Sequence, residues 1–204
     1  MAKTKEGQRR ARNRLFRRIA WGYGLFFQWQ KKGFVRDLQL LEEKGALNPG
    51  ARVLDLGCGT GALAAALLER GCSVVGVDPV EEMLQVARKK AGKEAVFLLG
   101  YGEELVFPDH SFDLVLASHV AHGLPGKERR RLYRRMQQLS KGYVALLDFH
   151  GKKGNLLLRL AEAVEDSYYE EFLAVGKEEF LEALPGGEIL PLGETSAWFL
   201  ASWK

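Results

Sequence analysis

The sequence predicts a doubly wound α/β fold with a mostly parallel sheet, which a C-terminal antiparallel pair of strands completes. Between residues 52 and 148, short apolar segments alternate with segments of helical periodicity. Each apolar segment is continuous, which is typical of strands in a parallel sheet that helices cover on both faces. Alternating strands and helices of this kind form βαβ units with right-handed crossovers.

The individual elements follow from the same patterns. Parallel strands are predicted at residues 52–56, 73–77, 95–99, 112–117 and 143–148. Helices are predicted at residues 61–70, 81–90 and 127–139, where helix formers or apolar residues recur at helical spacing. Helical periodicity returns at residues 155–183 and stops at Pro185-Gly186-Gly187. We expect residues 188–192 and 196–203 to form an antiparallel pair at one edge of the sheet.

Composition and charge suggest one globular domain with a basic appendage. The chain has 204 residues, of which 47% are apolar, enough for a sizeable core. Residues 1–36 hold 11 Lys/Arg and one acid, whereas residues 37–204 hold 19 Lys/Arg and 25 acids. We therefore divide the chain into a basic N-terminal tail with a lid helix, residues 1–36, and a main domain, residues 37–204.

The basic segment has two interpretations. It could contact an anionic membrane surface peripherally, or it could be a solvated end. A nucleic-acid partner is not expected, because no RNA-binding module accompanies the segment. The aromatic residues beside it, Trp21, Phe26, Phe27 and Trp29, are expected to pack as a lid on a ligand cleft. The sequence does not reveal an oligomeric state.

The sequence also suggests a cellular compartment. No apolar run reaches the ~20 residues that a membrane span needs, and the basic N-terminus lacks the apolar region of a signal peptide. The two cysteines, Cys58 and Cys72, fit neither a disulfide framework nor a metal site. We therefore expect a cytoplasmic protein without a bound metal.

The segment VLDLGCGTG, residues 53–61, carries the most functional information. Three glycines in five residues let the backbone turn tightly between a strand and a helix and approach a ligand closely. Two ligands fit this loop. The pattern G-x-G-x-x-A, with Asp78 downstream, is compatible with a dinucleotide. The acid inside the loop entrance, Asp55, would repel a pyrophosphate and suits a cationic ammonium such as that of S-adenosylmethionine.

Three segments together resemble the successive motifs of a known family. VLDLGCGTG, VVGVDPVEEML and EELVFPDHSFDLVLASHVAHGL are similar to the motifs of class I S-adenosylmethionine-dependent methyltransferases of the methyltransferase domain 11 type, which includes the ubiquinone/menaquinone C-methyltransferases. The resemblance covers about residues 13–150. It implies a Rossmann-like fold, S-adenosylmethionine as cofactor, and transfer of a methyl group to a small-molecule acceptor by in-line displacement. The alternatives are a nicotinamide-dependent oxidoreductase or a non-catalytic cofactor-binding protein of the same fold.

The resemblance implies roles at the methionine end of the cofactor. Asp55 would hold the ammonium group, Ser118 would lie near the methionyl group, and Tyr23 would close over the cofactor from the N-terminal helix. The backbone that passes under the methionyl part would be that of Gly57, Gly59 and Gly61.

Further roles are implied at the nucleoside end. Asp78 would accept hydrogen bonds from both ribose hydroxyls. Pro79 and Met83 would pack beside the adenine, and Gly102 and Glu103 would line its edge through backbone groups. The family usually carries an acid at the position of Tyr101, so the adenine contact differs in this chain.

The acceptor side is less defined. Methyl transfer needs alignment and exclusion of water, and it needs a base only where the acceptor loses a proton. His119 and His122 follow the fourth strand and are candidates for a general base or for contacts with the acceptor; a packing role is the alternative. His150 is a third candidate, and His110 is expected to be structural. The resemblance places an acceptor-binding helical insertion near residues 151–187.

Overall fold

The computed structural model describes residues 5–151 and 168–203, without the side chains of residues 5, 6, 8, 11, 12 and 23. Its strands form one seven-stranded sheet in the order β3-β2-β1-β4-β5-β7-β6. They are β1 (Arg52–Leu56), β2 (Ser73–Asp78), β3 (Val96–Leu99), β4 (Phe112–Ser118), β5 (Ser140–Phe149), β6 (Glu188–Pro191) and β7 (Ser196–Ser202). Strands β1 to β5 are parallel, and β7 is antiparallel to both β5 and β6. The predicted mixed sheet is therefore confirmed.

Strand β1 lies at the point where the order of the sheet reverses. It pairs with β2 on one side and with β4 on the other, so that Leu56 lies level with Val77 and Ala117. In an open parallel sheet, ligands bind beyond the carboxyl ends of the strands at this switch point. The glycine loop and the loops that follow β2 and β4 all begin there.

Helices cover both faces of the sheet. They are α1 (Lys5–Leu25), α2 (Phe27–Asp37), α3 (Gln39–Glu43), α4 (Ala62–Leu68), α5 (Glu81–Lys90), α6 (Gly126–Leu139) and α7 (Tyr169–Ala183), with a 3-10 turn at Ala121–Gly123. Buried residues of α2 to α5 form one apolar core with the sheet, and those of α6 and α7 form a second core on the opposite face. Residues 152–167, which include the first part of the helix predicted at 155–183, lie outside the described residues.

The fifth strand begins earlier than the sequence suggested. The sequence predicted this strand at residues 143–148, but β5 begins at Ser140, and its pairing with β4 shifts register between Phe112 and Leu114. The Ser140 hydroxyl accepts the backbone N–H groups of Gly142 and Tyr143 at 3.1 and 2.9 Å. The side chain thus satisfies the backbone groups that the bulge leaves unpaired.

Helix α1 packs on the domain through one face only. Phe16, Ile19 and Ala20 contact Val80 and Met83 at the start of α5. The four nearby aromatic residues were expected to pack as a lid on a ligand cleft, and this expectation is wrong. Phe27 is buried in the main core instead, and the other three are exposed: Trp21, Phe26 and Trp29.

Within the described ranges, none of the helices combines the length and apolarity that crossing a bilayer requires.

Candidate active site

A cavity of about 460 Å³ opens at the carboxyl ends of β1, β2 and β4. The loops after these strands line it, and α1 and α6 close its sides. Its lining includes eleven of the residues that the sequence assigned to the cofactor or to the acceptor: Asp55, Gly57, Gly59, Asp78, Pro79, Met83, Gly102, Glu103, Ser118, His119 and His122. Gly61 lies directly behind this lining at the start of α4, and the side chain of Tyr23 lies outside the described part of the structure.

Asp55 is the most unusual group in the cavity. It is 1% exposed, and neither of its carboxylate oxygens has a hydrogen-bond partner among the described residues. Burial raises the pKa of Asp55 to about 8, and the nearby negative charge of Asp78 adds to the shift. A buried acid without donors is unfavourable on its own, and the natural partner of its ionised form is a cation.

Asp78, at the end of β2, is already partly engaged. One carboxylate oxygen accepts the Gly59 N–H at 2.9 Å, and the other accepts the Val80 N–H at 2.8 Å. Burial raises the pKa of Asp78 to about 6, while the two backbone hydrogen bonds oppose the rise. Each oxygen retains a lone pair that could accept a hydroxyl donor from the cavity.

The glycine loop requires its glycines for different reasons. Gly57, Gly59 and Gly61 all have positive φ angles of 77°, 50° and 77°. A Cβ on Gly57 would lie 2.5 Å from a Val120 methyl group, and one on Gly61 would lie 2.9 Å from Cβ of Ala87. A Cβ on Gly59 would meet no atom of the described residues within 4 Å, because this residue faces the open cavity. The loop therefore presents bare backbone to whatever binds there.

Helix α1 reaches across the loop that follows β3. The Tyr101 hydroxyl accepts a hydrogen bond from the Asn13 amide at 3.0 Å, and the Arg9 guanidinium lies 4.2 Å from the centre of the Tyr101 ring. Arg9 also forms an ion pair with Glu104 at 3.0 Å and contacts the carboxylate of Glu103. The residue that departs from the family pattern, Tyr101, thus serves as a docking point for α1.

On the other side of the cavity, His122 and Asp148 form a buried pair. Nδ1 of His122 lies 2.7 Å from one Asp148 oxygen, which also accepts the Phe149 N–H. The other oxygen accepts the N–H groups of Ala121 and His122. Burial would raise the pKa of Asp148, but the positive potential and hydrogen bond of His122 lower it below its usual value. Asp148 is therefore an ionised acceptor, and Nδ1 of His122 carries the proton.

His119 lies beside this pair with a strained backbone, at a φ angle of 54°. Its ring packs against Phe149 at 5.1 Å between centroids, and the residue is exposed at the cavity that it lines. Within the described residues, His119, His122 and Asp148 bring ligand-type atoms within 4.8 Å of one another. The Asp148 oxygens are already occupied by four protein donors, so this arrangement suits an oriented histidine better than a metal site.

The remaining histidines lie elsewhere. Nδ1 of His110 lies 2.7 Å from the Ser140 carbonyl oxygen, which agrees with its expected structural role. His150 packs on Phe199 and does not line the cavity, so the structure gives no support to it as a base.

The sequence analysis did not identify three residues of the site: Asp148, Arg9 and Asn13. Asp148 did carry a usable signal, since it ends a parallel strand as Asp55 and Asp78 do.

Comparison with known proteins agrees with this geometry. A family model described as "Methyltransferase domain" matches residues 54–146. An uncharacterized methyltransferase of Bacillus licheniformis is 31% identical over 163 residues, covering 69% of this chain and 72% of that protein. A second uncharacterized methyltransferase, from Mycobacterium tuberculosis, is 52% identical over 71 residues. That match covers 35% of this chain and only 29% of the mycobacterial protein.

Solved structures share the fold. The magnesium protoporphyrin IX methyltransferase of Synechocystis PCC 6803, solved with bound SAH, superposes with a TM-score of 0.63 at 22% identity. The superposition covers 85% of this chain and 83% of the Synechocystis chain. The glycine loop and the acids near the ends of β1 and β2 lie at the switch point of a Rossmann-like sheet, the fold that these methyltransferases share. The chain belongs to the S-adenosylmethionine-dependent methyltransferases of the methyltransferase domain family.

Proposed function

We propose that this protein transfers a methyl group from S-adenosylmethionine to a small-molecule acceptor by in-line displacement, and that Asp55 binds the ammonium group of the cofactor. The orphaned, fully buried carboxylate of Asp55 beside an open glycine loop carries the proposal. A cationic amine that enters the cavity would supply the missing donors and favour ionisation of the acid. A pyrophosphate would meet a buried acid instead, which argues against the nicotinamide-dependent alternative.

The other contacts at the methionine end follow from the same loop. The exposed backbone of Gly59 leaves room for the methionyl chain, while Gly57 and Gly61 fix the loop against Val120 and α5. Ser118, at the end of β4, has a buried hydroxyl with no hydrogen-bond partner among the described residues and faces the same cavity. We assign it to the methionyl group.

At the nucleoside end, Asp78 would accept hydrogen bonds from the ribose hydroxyls through its remaining lone pairs. Pro79 and Met83 line the adjoining wall, where an adenine ring would pack. Backbone groups of Gly102 and Glu103 would line the adenine edge. A Cβ on Gly102 would lie 2.8 Å from a Leu56 methyl group, so this backbone is held close to β1.

The His122–Asp148 pair supplies a base at the acceptor side. Because Nδ1 donates to Asp148, the lone pair of the neutral ring lies on Nε2, which is the atom of His122 that would accept a proton. The described part of the expected acceptor-binding insertion also reaches this point: Tyr169, at the start of α7, packs on His122 and Phe149 with ring centroids 6.4 and 4.9 Å apart. His119 lines the same cavity and is assigned to acceptor contact.

The chemistry needs little else. Bound S-adenosylmethionine supplies an electrophilic methyl group on a sulfonium, which leaves as a neutral thioether. An acceptor O–H or N–H would form the bond to the methyl carbon while its proton passes to Nε2 of His122. The apolar wall formed by Phe149 and Leu124, with Tyr169 packed on Phe149, would exclude water from the line of transfer.

Calorimetric titration with S-adenosylmethionine and S-adenosylhomocysteine tests the cofactor assignment. We expect both to bind, and Asp78→Asn to weaken binding by about tenfold to a hundredfold, since the ribose loses a charged acceptor. Asp109→Asn, in an exposed turn, is the matched control for loss of one negative charge. Binding of NADH without binding of either sulfur compound would overturn the assignment.

A screen for transfer of a labelled methyl group to phenols, catechols and amines tests the acceptor side. We expect Asp148→Asn to lower the rate while leaving cofactor affinity unchanged, because an amide would favour the other tautomer of His122. Lost cofactor binding in this variant would show that Asp148 acts in the cofactor site instead.

The location we propose is the cytoplasm, supported by two free, buried cysteines, Cys58 and Cys72.

A further inference from the structure

Four large apolar side chains are exposed within nine consecutive residues at the junction of α1 and α2. Trp21 is 67% exposed, Leu25 83%, Phe26 61% and Trp29 76%. We call these four residues the aromatic patch. Their spacing of four, five and eight residues from the first is that of neighbours on one side of a helical segment. A soluble surface rarely leaves so much contiguous apolar area in water without a partner.

The fold holds this patch outward rather than leaving it unpacked. On the other side of the same segment, Ala20 packs on Val80 and Met83, and Phe27 is buried in the main core. Lys90 donates to the Gly24 carbonyl oxygen at 2.6 Å and ties the end of α1 to α5. The inner side of the segment is therefore packed against the domain, and the aromatic patch cannot turn inward without breaking these contacts.

Positive charge surrounds the patch. Residues 1–36 hold 11 Lys/Arg and a single acid, although acids of other segments pair with some of these cations, among them Arg9, Arg17 and Lys31. Arg14 and Arg18 precede the patch and Lys32 follows it, and all three are exposed. Lys89 of α5 lies 5.4 Å from the centre of the Trp21 ring and adds another charge at the edge of the patch. A partner for this surface must therefore accept apolar rings and provide negative charge.

We propose that this surface binds an anionic lipid bilayer peripherally, with the aromatic patch inserted among the headgroups and the cations on the lipid phosphates. Helical segments with Trp, Phe and Leu beside Arg and Lys have the chemistry of interfacial binding. A nucleic acid would use the cations but would leave Leu25 in water, and a neutral protein surface would leave the cations unused. The positive charge and the exposed apolar groups together therefore favour an anionic membrane over a nucleic acid or a neutral protein surface.

The position of the surface adds a consequence for the active site. The same helix α1 that carries Trp21 and Leu25 lines the cavity through Arg9, Asn13 and Phe16. Membrane binding would therefore place the mouth of the cavity beside the bilayer, where an acceptor dissolved in lipid is accessible. This consequence rests on the proposed function, whereas binding to the bilayer does not.

Sedimentation with vesicles tests the proposal on the full chain. Vesicles of equal parts phosphatidylcholine and phosphatidylglycerol should bind the protein, and vesicles of phosphatidylcholine alone should bind it much more weakly. The double variant Trp21→Ala/Trp29→Ala should lower the partition coefficient at least about tenfold, because two rings no longer leave water. Trp203→Ala, which removes another exposed tryptophan outside the patch, is the matched control and should bind as the wild type does.

A second pair of variants tests the charge. Arg14→Gln/Arg18→Gln should weaken binding to the anionic vesicles by at least about tenfold, whereas Lys93→Gln/Lys177→Gln, with the same loss of charge elsewhere, should not. Calorimetric binding of S-adenosylmethionine should be unchanged in all variants, which separates this proposal from the proposed function. Equal binding to both vesicle types, or unchanged binding by the tryptophan variant, would overturn it. So would a dimer in solution that the tryptophan variant dissolves, since the patch would then be covered by a second copy.

Discussion

Replacing Asp55 by asparagine should stabilise the free protein at neutral pH while weakening its cofactor binding. The pKa of this acid is 3.8 in an exposed reference and about 8 in the fold, because it is buried without donors. Between these two values the folded state holds a proton that the unfolded state releases. The contribution of Asp55 to stability is therefore complete below pH 4 and is lost as the pH rises toward 8.

The size of the effect follows from the shift. Each pH unit in this window changes the free energy of unfolding by up to ~1.4 kcal/mol. At pH 7.5 the cost of Asp55 is therefore of the order of 3 kcal/mol, allowing for partial hydration of the cavity. For a chain of this length, removing that cost should raise Tm by roughly 6–12 °C.

Thermal unfolding of Asp55→Asn, of Asp109→Asn and of the wild type between pH 5 and pH 8 measures the effect. The difference in Tm between Asp55→Asn and the wild type should grow with pH, and Asp109→Asn should follow the wild type. The wild type should also bind S-adenosylmethionine more tightly as the pH rises from 5 to 7.5, since the ammonium needs the ionised acid. A Tm difference that is constant with pH, or a variant less stable than the wild type at pH 7.5, would refute the reasoning.

The remaining predictions concern the loop, the base and a buried ion pair. Gly57→Ala should lose about 2 kcal/mol of stability or more by urea denaturation, because φ is 77° and the new methyl group would lie 2.5 Å from Val120; Gly123→Ala, with open space around it, is the control. His122→Asn should lower the rate of methyl transfer by about a hundredfold or more while S-adenosylhomocysteine still binds. A variant as fast as the wild type would show that His122 is not the general base. Arg129→Met should cost about 3–5 kcal/mol in urea denaturation, because the buried guanidinium holds Glu179 at 2.5 Å and the Leu124 carbonyl at 2.6 Å; a loss under 1 kcal/mol would contradict this role.

Much of the cofactor site was predictable because its signals are local. Asp55 and Asp78 end consecutive apolar strands, and parallel strands bring their carboxyl ends to one edge. The spacing of the glycines needed no tertiary information, because the turn and the helix start are encoded in adjacent residues.

The pairing of His122 with Asp148 and the docking of α1 were not predictable in the same way. Asp148 lies two residues from His150 in sequence, but it pairs with His122, which the loop after β4 folds back over the end of β5. This pairing depends on the register between β4 and β5, which no local pattern gives. Likewise, the contact of Asn13 with Tyr101 spans 88 positions and joins two segments whose sequences show no mutual signal.

The exposure of the aromatic patch was also beyond local reasoning. The sequence places Phe26 and Phe27 side by side, and both are equally apolar. Only the packing of α2 against α4 determines that Phe27 is buried and Phe26 is not. Composition showed that aromatic and basic residues occur together, and the tertiary structure decided which of them face solvent.

Titration of the wild-type protein with S-adenosylhomocysteine at pH 7.5 tests the central claim most directly. The account predicts saturable binding of one ligand per chain, weakened by Asp78→Asn and unaffected by Asp109→Asn. A folded protein that binds neither this compound nor S-adenosylmethionine would contradict the assignment of the cavity at the ends of β1 and β2.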